Sequence, residues 1–333
     1  MKAIGITTTV PSEVLIAAGY KVVDLNNVFI TSEDYDKYID LAEREGFPKS
    51  SCAWIKGIYG VCRKNGISEV IGVMEGDCSN TRALIEVLKS EGIKVNTFSY
   101  PHDHTLADIK KSIDAFMNAF KVTPGQVEAV RNELLYVRML ARKIDELTYM
   151  DSKATGFENH LYQVSLSDFN GNFSGYAKEL EGAIGEMEKR PAMDIKLRLG
   201  YIGVPPITCD IYNYVEGFGA RFVYNEVQRE FAFPRAAEAG DIYSQYMDYT
   251  YPYDLEFRLE EIKKQAGIRK LDGIIHYTQA FCHRSIEDVV IKKELDIPVL
   301  TLEGDKLNRL DARTKLRLEA FMDMLLDLKE VGN

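Results

Sequence analysis

Three of the five cysteines in this 333-residue chain stand at turns, where their thiols could take part in chemistry. Cys78 follows the apolar strand pattern EVIGVM in the loop EGDCSN, and Cys282 follows the pattern GIIHYTQ in the same way. Cys52 precedes a predicted helix, and exposed N–H groups and the helix dipole at that end favour a thiolate. Thiolates that converge without carboxylates or CxxC pairs suit an iron–sulfur cluster better than most other metals.

The cysteines also have a second interpretation, because a free cysteine often serves as a small buried apolar residue. Spacing alone leaves both interpretations open. Cys62 stands within the helical pattern that follows Cys52 and is turned well off its face, so we interpret it as a packing residue. Cys209 follows two prolines at a helix start, and packing is favoured there over reactivity. An odd number of scattered cysteines does not predict a disulfide framework.

The elements that must position these cysteines alternate between strand and helix patterns at both ends of the chain. We predict an α/β fold with two Rossmann-like parallel-sheet domains that flank a helical segment. The N-terminal α/β domain is predicted at 1–103, the helical segment at 104–194 and the C-terminal α/β domain at 195–333. Residues 1–26 and 197–226 have the same order of predicted elements. Each begins with a strand and a turn marked by proline, followed by a helix, a glycine and a second strand. Parallel sheets of this kind place ligands at the carboxyl ends of their strands.

Charge and composition argue against nucleic acids and membranes as partners of this protein. The formal net charge is −10, which argues against nucleic acid because a phosphate-binding protein needs a basic face. The sequence has neither a run of about 18 apolar residues nor the apolar stretch of a signal peptide, so no membrane partner and a cytoplasmic location are expected. Neither a GxxxxGK[ST] loop nor a GxGxxG turn after the first strand is present.

Several segments, in order and over almost the whole chain, resemble the 2-hydroxyacyl-CoA dehydratase and benzoyl-CoA reductase superfamily, which includes the double-cubane cluster proteins. The segments are VPSEVLIAAGYKVVDL, SSCAWIKG, VIGVMEGDCSNTRALIEVLK, ATGFE, LDGIIHYTQAFCH, IPVLTLEGD and RLEAFMDML. The resemblance implies an iron–sulfur cluster, [4Fe-4S] or fused double-cubane [8Fe-9S], held by three cysteines per subunit. Carried over by position, these ligands are Cys52, Cys78 and Cys282.

The resemblance also implies a partner and a reaction. An ATP-hydrolysing activator protein supplies low-potential electrons, and the missing P-loop is consistent with a separate activator. In the dehydratases one electron forms a ketyl radical on an acyl-CoA thioester, whereas double-cubane proteins are homodimers that reduce small molecules. This sequence starts directly at its first strand, without the helical segment that usually opens dehydratase subunits. We therefore expect a homodimeric double-cubane-type reductase.

Three alternatives stay open at this point. The first is a subunit of a 2-hydroxyacyl-CoA dehydratase with a [4Fe-4S] cluster. The second is a non-catalytic, cluster-bearing electron-transfer protein. The third is a cluster-free binding protein that uses a Rossmann-like cleft.

Other polar residues near these segments are candidates for proton transfer. His283 follows Cys282 directly and is a candidate to donate a hydrogen bond to a cluster sulfur or to move protons, although a capping or surface role is favoured. Glu158 of ATGFE stands where the family borders its active site, so we name it a candidate proton donor. His276 precedes Cys282 on the strand pattern, and HDH at 102–104 is interpreted as a polar turn. The tyrosines of YSQYMDYTYPY are expected to bury a loop or an interface.

Overall fold

The computed structural model describes residues 2–331 as an alternation of parallel strands and helices. The strands are β1 (Lys2–Ile6), β2 (Tyr20–Asp24), β3 (Glu69–Glu75), β4 (Lys94–Ser99), β5 (Leu197–Gly203), β6 (Ala220–Asn225), β7 (Gly273–Gln279) and β8 (Val299–Gly304). The helices are α1 (Ser12–Ala17), α2 (Leu25–Thr31), α3 (Tyr35–Arg44), α4 (Ala53–Lys64), α5 (Ser79–Ser90), α6 (Leu106–Phe120), α7 (Pro124–Tyr149), α8 (Gly156–Val164), α9 (Phe173–Glu188), α10 (Asp210–Glu216), α11 (Glu226–Phe231), α12 (Ile242–Met247), α13 (Leu255–Arg269), α14 (Arg284–Glu294) and α15 (Ala312–Val331).

The strands form two parallel sheets of four strands each. The first sheet has the order β2-β1-β3-β4 and the second has the order β6-β5-β7-β8. Every strand pair in both sheets is parallel. The fold is therefore α/β with two Rossmann-like sheets, as the sequence predicts.

The central strands carry near-continuous apolar sequences because helices cover both of their faces. Every residue of β6 and β7 is buried. On one face of the second sheet, side chains of α10 and α15 pack against β5 and β7. On the other face, residues of α13 and α14 pack against the same strands. Alternate residues of β7 therefore face different helices.

The chain divides into two compact units, each built from separated segments. Unit 1 comprises 1–140, 165–180 and 230–254, and it contains the first sheet. Unit 2 comprises 141–164, 181–229 and 255–333, and it contains the second sheet. The domain boundaries that the sequence suggests, after residues 103 and 194, stay a prediction about independent folding.

The segment at 104–194 is helical, as the sequence predicts, with α6 to α9 and two short 3₁₀ turns. Helix α7 begins with the capping box that Thr123 and Gln126 predict: Gln126 N donates to Thr123 Oγ1 at 3.3 Å, and Thr123 N donates to Gln126 Oε1 at 2.9 Å. The short helices α2 and α11 were not predicted, since each begins directly after a strand without a glycine or proline to mark it. No helix within residues 2–331 combines the length and the apolarity needed to cross a bilayer.

Candidate metal centre

The carboxyl ends of the central strands carry two of the three candidate ligand cysteines. In the first sheet, the connection from β1 leads to one edge strand, β2, and the connection from β3 leads to the other, β4. In the second sheet, β5 leads to β6 and β7 leads to β8 in the same way. Such a switch point is where open parallel sheets bind ligands. Cys78 is the third residue after β3, which ends at Glu75, and Cys282 is the third residue after β7, which ends at Gln279. The two cysteines therefore hold the same position in the topology of their units.

Cys78 caps the N-terminus of α5 in unit 1. The backbone N–H of Asn80 donates to Cys78 Sγ at 3.4 Å, and Thr81 N donates to the Cys78 carbonyl oxygen at 2.9 Å. Thr81 Oγ1 also donates to Asp77 Oδ2 at 3.0 Å, which fixes the preceding residue of the loop. An N–H group and the helix dipole directed at sulfur favour a thiolate over a thiol. The local backbone thus suits Cys78 as a ligand.

Gly76 allows the loop before Cys78 to lie directly against the ring of Tyr100. Gly76 has a φ of +89°, and a Cβ built on it would lie 2.7 Å from Tyr100 Cδ2 and 2.8 Å from Pro252 Cβ. Tyr100 N donates to the Glu75 carbonyl oxygen at 3.1 Å, which holds the ring under the loop. Glycine is required here by both the positive φ and the close approach.

The tyrosine-rich segment packs within unit 1 as the sequence suggests. Tyr246 and Tyr249 are buried, and their ring centroids lie 6.5 and 5.9 Å from that of Tyr100. Tyr246 Oη lies 2.9 Å from the Val10 carbonyl oxygen. His104 Nε2 lies 2.6 Å from the Met247 carbonyl oxygen, so this histidine belongs to the same packed region. The segment buries the side of unit 1 that supports the Cys78 loop.

Cys52 caps the N-terminus of α4 and is buried in unit 1. Lys56 N donates to the Cys52 carbonyl oxygen at 3.2 Å, which starts the helix. The Lys56 side chain is fully buried, and its Nζ donates to Glu43 Oε1 at 2.8 Å and to the Lys49 carbonyl oxygen at 3.1 Å. Lys56 therefore fixes the loop that leads into Cys52.

Cys282 lies in the turn between β7 and α14 of unit 2. Its N–H donates to the Gln279 carbonyl oxygen at 3.0 Å, and Ser285 Oγ donates to the Cys282 carbonyl oxygen at 2.7 Å. Phe281 has a φ of +64° and an exposed ring. A non-glycine residue in this backbone region is uncommon, and such residues often occur at functional turns.

A buried ion network anchors α14 behind the Cys282 turn. Arg258 of α13 donates to Glu226 through Nε at 2.7 Å and through Nη2 at 3.0 Å. Arg258 Nη1 also donates to Glu287 Oε2, in the first turn of α14, at 2.5 Å. Glu226 Oε2 accepts from Gly203 N at 2.9 Å. The network thus connects the carboxyl end of β5 to the helix that follows Cys282.

His283 caps α14 and has an exposed side chain. Although the residue is exposed overall, partial desolvation of its ring lowers the pKa of His283, and the positive charge of Arg284 acts in the same direction. The imidazole is therefore mostly neutral at pH 7 and has one nitrogen free to accept a proton. Its part in proton movement stays a prediction.

Glu158 stands in a capping box at the start of α8. It accepts from Thr155 N at 2.8 Å, while Glu158 N donates to Thr155 Oγ1 at 3.1 Å. Arg190 donates to both carboxylate oxygens at 2.8 Å. Burial acts to raise the pKa of Glu158, but the hydrogen bonds from Arg190 and Thr155 outweigh it and lower that pKa. These contacts favour the ionised form, so the proton-donor role stays a prediction that needs a change in this environment.

The two remaining cysteines are held as neutral thiols. Burial raises the pKa of Cys62 to about 12. Burial and the nearby charge of Asp210 raise the pKa of Cys209 to about 12. A thiol with so high a pKa is a poor metal ligand and nucleophile at neutral pH. Both therefore fit the packing role that the sequence indicates.

The three other cysteines would supply thiolate sulfur, which is the usual ligand of iron–sulfur clusters. Cys52 and Cys78 belong to unit 1, and Cys282 belongs to unit 2. Among residues 2–331 no group of three or more His, Cys, Asp and Glu side chains is arranged to hold one metal ion. Each thiolate of a cubane binds its own iron, so such ligands need not crowd around a single ion. The three-cysteine ligand set stays a prediction.

A protein-family model matches almost the whole chain. Residues 7–325 match the family model described as 2-hydroxyglutaryl-CoA dehydratase, D-component. The chain belongs to this family. Membership in the D-component family identifies it as a component of the 2-hydroxyacyl-CoA dehydratase type, which confirms the superfamily that the sequence resembles. No curated protein matched the chain.

Sequence reasoning missed the residues that support the loops of Cys52, Cys78 and Cys282. Lys56 and Gly76 stand within segments that resemble the family but were given no role there, and Arg258 stands in none of those segments. The only signal is that Lys56 interrupts the apolar side of α4, where every residue from Ala53 to Cys62 is buried. A charged residue within such a helix indicates an internal partner.

Proposed function

We propose that this chain is an iron–sulfur enzyme of the dehydratase D-component family, with Cys52, Cys78 and Cys282 as the cluster ligands. The observation that carries the proposal is the equivalent position of Cys78 and Cys282, each three residues beyond the second central strand of its sheet. Cys52 joins them by its position in the segment SSCAWIKG that resembles the family, directly before α4, while burial raises the pKa of Cys62 and Cys209 and favours a packing role for both. When bound, a [4Fe-4S] or fused double-cubane cluster supplies low-potential electrons.

The residues around the proposed ligands would fix the conformation of the ligand loops and transfer protons. Asn80 N and the first turn of α5 stabilise negative charge on Cys78. Arg258 and Glu287 hold the start of α14, so the turn with Cys282 keeps its form when the charge of the site changes. His283 is proposed to exchange protons beside Cys282, since its lowered pKa leaves a neutral imidazole at pH 7.

Two reactions fit such a site. The family match favours a component of a 2-hydroxyacyl-CoA dehydratase that acts on an acyl-CoA substrate. The sequence resemblance instead favours a homodimeric double-cubane-type reductase of small molecules, and this stays a prediction. Both reactions use an ATP-hydrolysing activator as a partner. We also propose a cytoplasmic location, where cysteines are kept reduced.

The ligand assignment predicts which thiols hold iron. Cys52→Ala, Cys78→Ala and Cys282→Ala should each lose most of the bound iron and acid-labile sulfide, because a missing thiolate leaves one iron unligated. Cys62→Ala and Cys209→Ala are matched controls, since the raised pKa of each thiol keeps it neutral. The measurement is iron and sulfide per chain in protein purified without oxygen, with circular dichroism to check folding.

Equal iron in all five variants, or none in anaerobic wild-type protein, would contradict the ligand assignment. The two reactions then separate by cluster type. Native mass spectrometry under anaerobic conditions distinguishes one fused cluster per pair of chains from one cubane in each chain. Turnover of a 2-hydroxyacyl-CoA with an activator would support the dehydratase.

A further inference from the structure

Helix α15 carries apolar residues on the side that faces away from the second sheet. The side that packs on the sheet consists of the buried residues Leu318, Phe321, Met322 and Leu325. On the opposite side, exposed apolar residues recur every three or four positions, and we call them the α15 stripe: Leu316, Ala320, Met324, Leu328 and Val331. Leu316 is 66% exposed and Val331 is 88% exposed. A continuous row of exposed apolar side chains, unlike a single one, indicates a partner.

Four charged residues border the α15 stripe, and their signs are separated along the helix. Arg313 and Arg317 lie near the start of α15, whereas Asp323 and Asp327 lie in its second half. All four residues are exposed. Arg317 Nη2 donates to the Thr301 carbonyl oxygen at 2.7 Å, and the guanidinium keeps further N–H groups for other acceptors. The stripe thus has one positive end and one negative end.

This distribution of charge is unfavourable within a single helix. Like charges four residues apart repel each other, and both the arginine pair and the aspartate pair have that spacing. Arg313 also stands in the first turn, where the helix dipole disfavours a positive charge. The stability of α15 by itself therefore does not account for these residues, and complementary charges from a partner would.

A second copy of α15 supplies the complementary charges if it lies antiparallel to the first. Arg313 and Asp327 stand seven residues before and after Ala320, and Arg317 and Asp323 stand three residues before and after it. With Ala320 opposite Ala320 of the second copy, each arginine therefore lies opposite an aspartate. A parallel alignment places like charges together instead.

The apolar residues follow the same symmetry. Leu316 and Met324 stand four residues before and after Ala320, so each lies opposite the other in the antiparallel pair. The small side chain of Ala320 at the centre allows the two helix axes to approach closely. A surface that matches its own copy in this way is what a two-fold interface requires.

We propose that α15 is an interface between two copies of this chain, which pack their α15 stripes antiparallel about a two-fold axis beside Ala320. The apolar residues supply the affinity, because their surface is removed from water. The ion pairs at the rim contribute little affinity and set the direction and register of the two helices. The interface belongs to unit 2 and depends neither on the cluster nor on the reaction proposed above.

Charge reversal tests the antiparallel pairing. The variant Arg313→Asp/Arg317→Asp brings aspartate against aspartate, and the variant Asp323→Arg/Asp327→Arg brings arginine against arginine. Each variant alone should halve the mass of the assembly. An equimolar mixture should restore the wild-type mass, with both variants in each assembly, because every aspartate then meets an arginine. The measurement is native mass spectrometry of the full-length protein purified without oxygen, with circular dichroism to check folding.

The matched control is Glu256→Arg/Glu260→Arg on α13. These two carboxylates are also exposed, four residues apart and in unit 2, and their reversal changes the net charge as much as the Asp323→Arg/Asp327→Arg variant does. The control should keep the wild-type mass, and a halved mass there would show a general effect of charge.

Three results would overturn the proposal. They are a monomeric wild-type protein, an assembly that persists in both charge-reversed variants, and a mixture that does not recover the wild-type mass. Persistence would place the interface elsewhere, for example on the exposed side of α14 with Ile286 and Val289. Because the mass of the assembly is measured rather than its iron, failure of the ligand assignment leaves this test unaffected.

Discussion

At the scale of single residues, the surroundings of each cysteine decide whether its thiolate or its neutral thiol is favoured. Cys78 Sγ accepts a hydrogen bond from a backbone N–H group at a helix start, while burial raises the pKa of Cys62 and Cys209 to about 12. Desolvation disfavours the charged thiolate, and a directed N–H group favours it. A directed N–H group and exposure to solvent, rather than helix position alone, therefore suit a cysteine to metal binding, since Cys209 also stands at a helix start and burial raises its pKa.

Gly76 offers a residue-scale test of how the Cys78 loop is supported. Gly76→Ala should destabilise the protein by about 1–2 kcal/mol from its positive φ and by a further 1–3 kcal/mol, roughly, from overpacking on Tyr100 and Pro252. Gly92→Ala is the matched control, because Gly92 has a φ of +79° and a Cβ there would have nothing within 4 Å. Urea unfolding measures both. Equal losses in the two variants would show that packing on Tyr100 contributes nothing.

At the scale of elements, the two units repeat one order of strands and helices. Each has a central strand, a short helix, an edge strand that leads directly into another helix, and then, after two more helices, the strand that precedes the loop with Cys78 or Cys282. The repeat places Cys78 and Cys282 at equivalent switch points, while the polar pair His276 and Asp288 occurs only in the second unit at those positions. One topology thus serves two different chemical environments.

Helix α8 provides the prediction at this scale, because Glu158 is either a cap or a proton donor. Glu158→Ala should destabilise the protein by about 1 kcal/mol through loss of the capping box, and the loss of the Arg190 ion pair adds to this. Glu158→Gln keeps an oxygen that accepts from Thr155 N and should cost less. Thermal unfolding gives the order. If both variants unfold like the wild type but abolish turnover, the catalytic interpretation of Glu158 is supported over the structural one.

At the scale of the whole molecule, each compact unit depends on segments that are far apart in the chain. Glu13 is fully buried in unit 1, where Arg138 Nη2 and Gln245 Nε2 each donate to its Oε1 at 2.7 Å and Tyr246 Oη donates to its Oε2 at 2.9 Å. In unit 2, Asp145 pairs with Arg269 through contacts of 2.8 and 2.5 Å. Removing one partner of a buried ion pair is strongly destabilising.

Fragments test whether the domain boundaries predicted from sequence are folding boundaries. A fragment of residues 1–194 lacks Gln245 and Tyr246, and a fragment of residues 195–333 lacks Asp145. We expect neither to unfold cooperatively on its own, because the first leaves Asp145 without Arg269 and the second leaves Arg269 without Asp145. Far-UV circular dichroism during urea unfolding is the measurement. A cooperative transition in the 195–333 fragment would establish the sequence boundary after residue 194 instead.

The sequence by itself determined the fold class and the candidate ligands. Apolar runs such as GIIHYTQ mark strands buried on both faces, and glycine and proline mark the helix ends, since both signals are local. The loops after β3 and β7 could be aligned because parallel strands end at one edge of a sheet. The family match confirms the superfamily that seven ordered segments indicate.

Only the tertiary structure decided which residues support these positions. Asp288 is twelve residues from His276 in sequence, and Glu13 is 125 residues from Arg138, so no local pattern predicts either pair. Glu158 resembles a catalytic acid in sequence but is ion-paired in space with Arg190, 32 residues away. The physical reason is that burial and charge pairing depend on contacts between distant segments, which strand and helix periodicity does not encode.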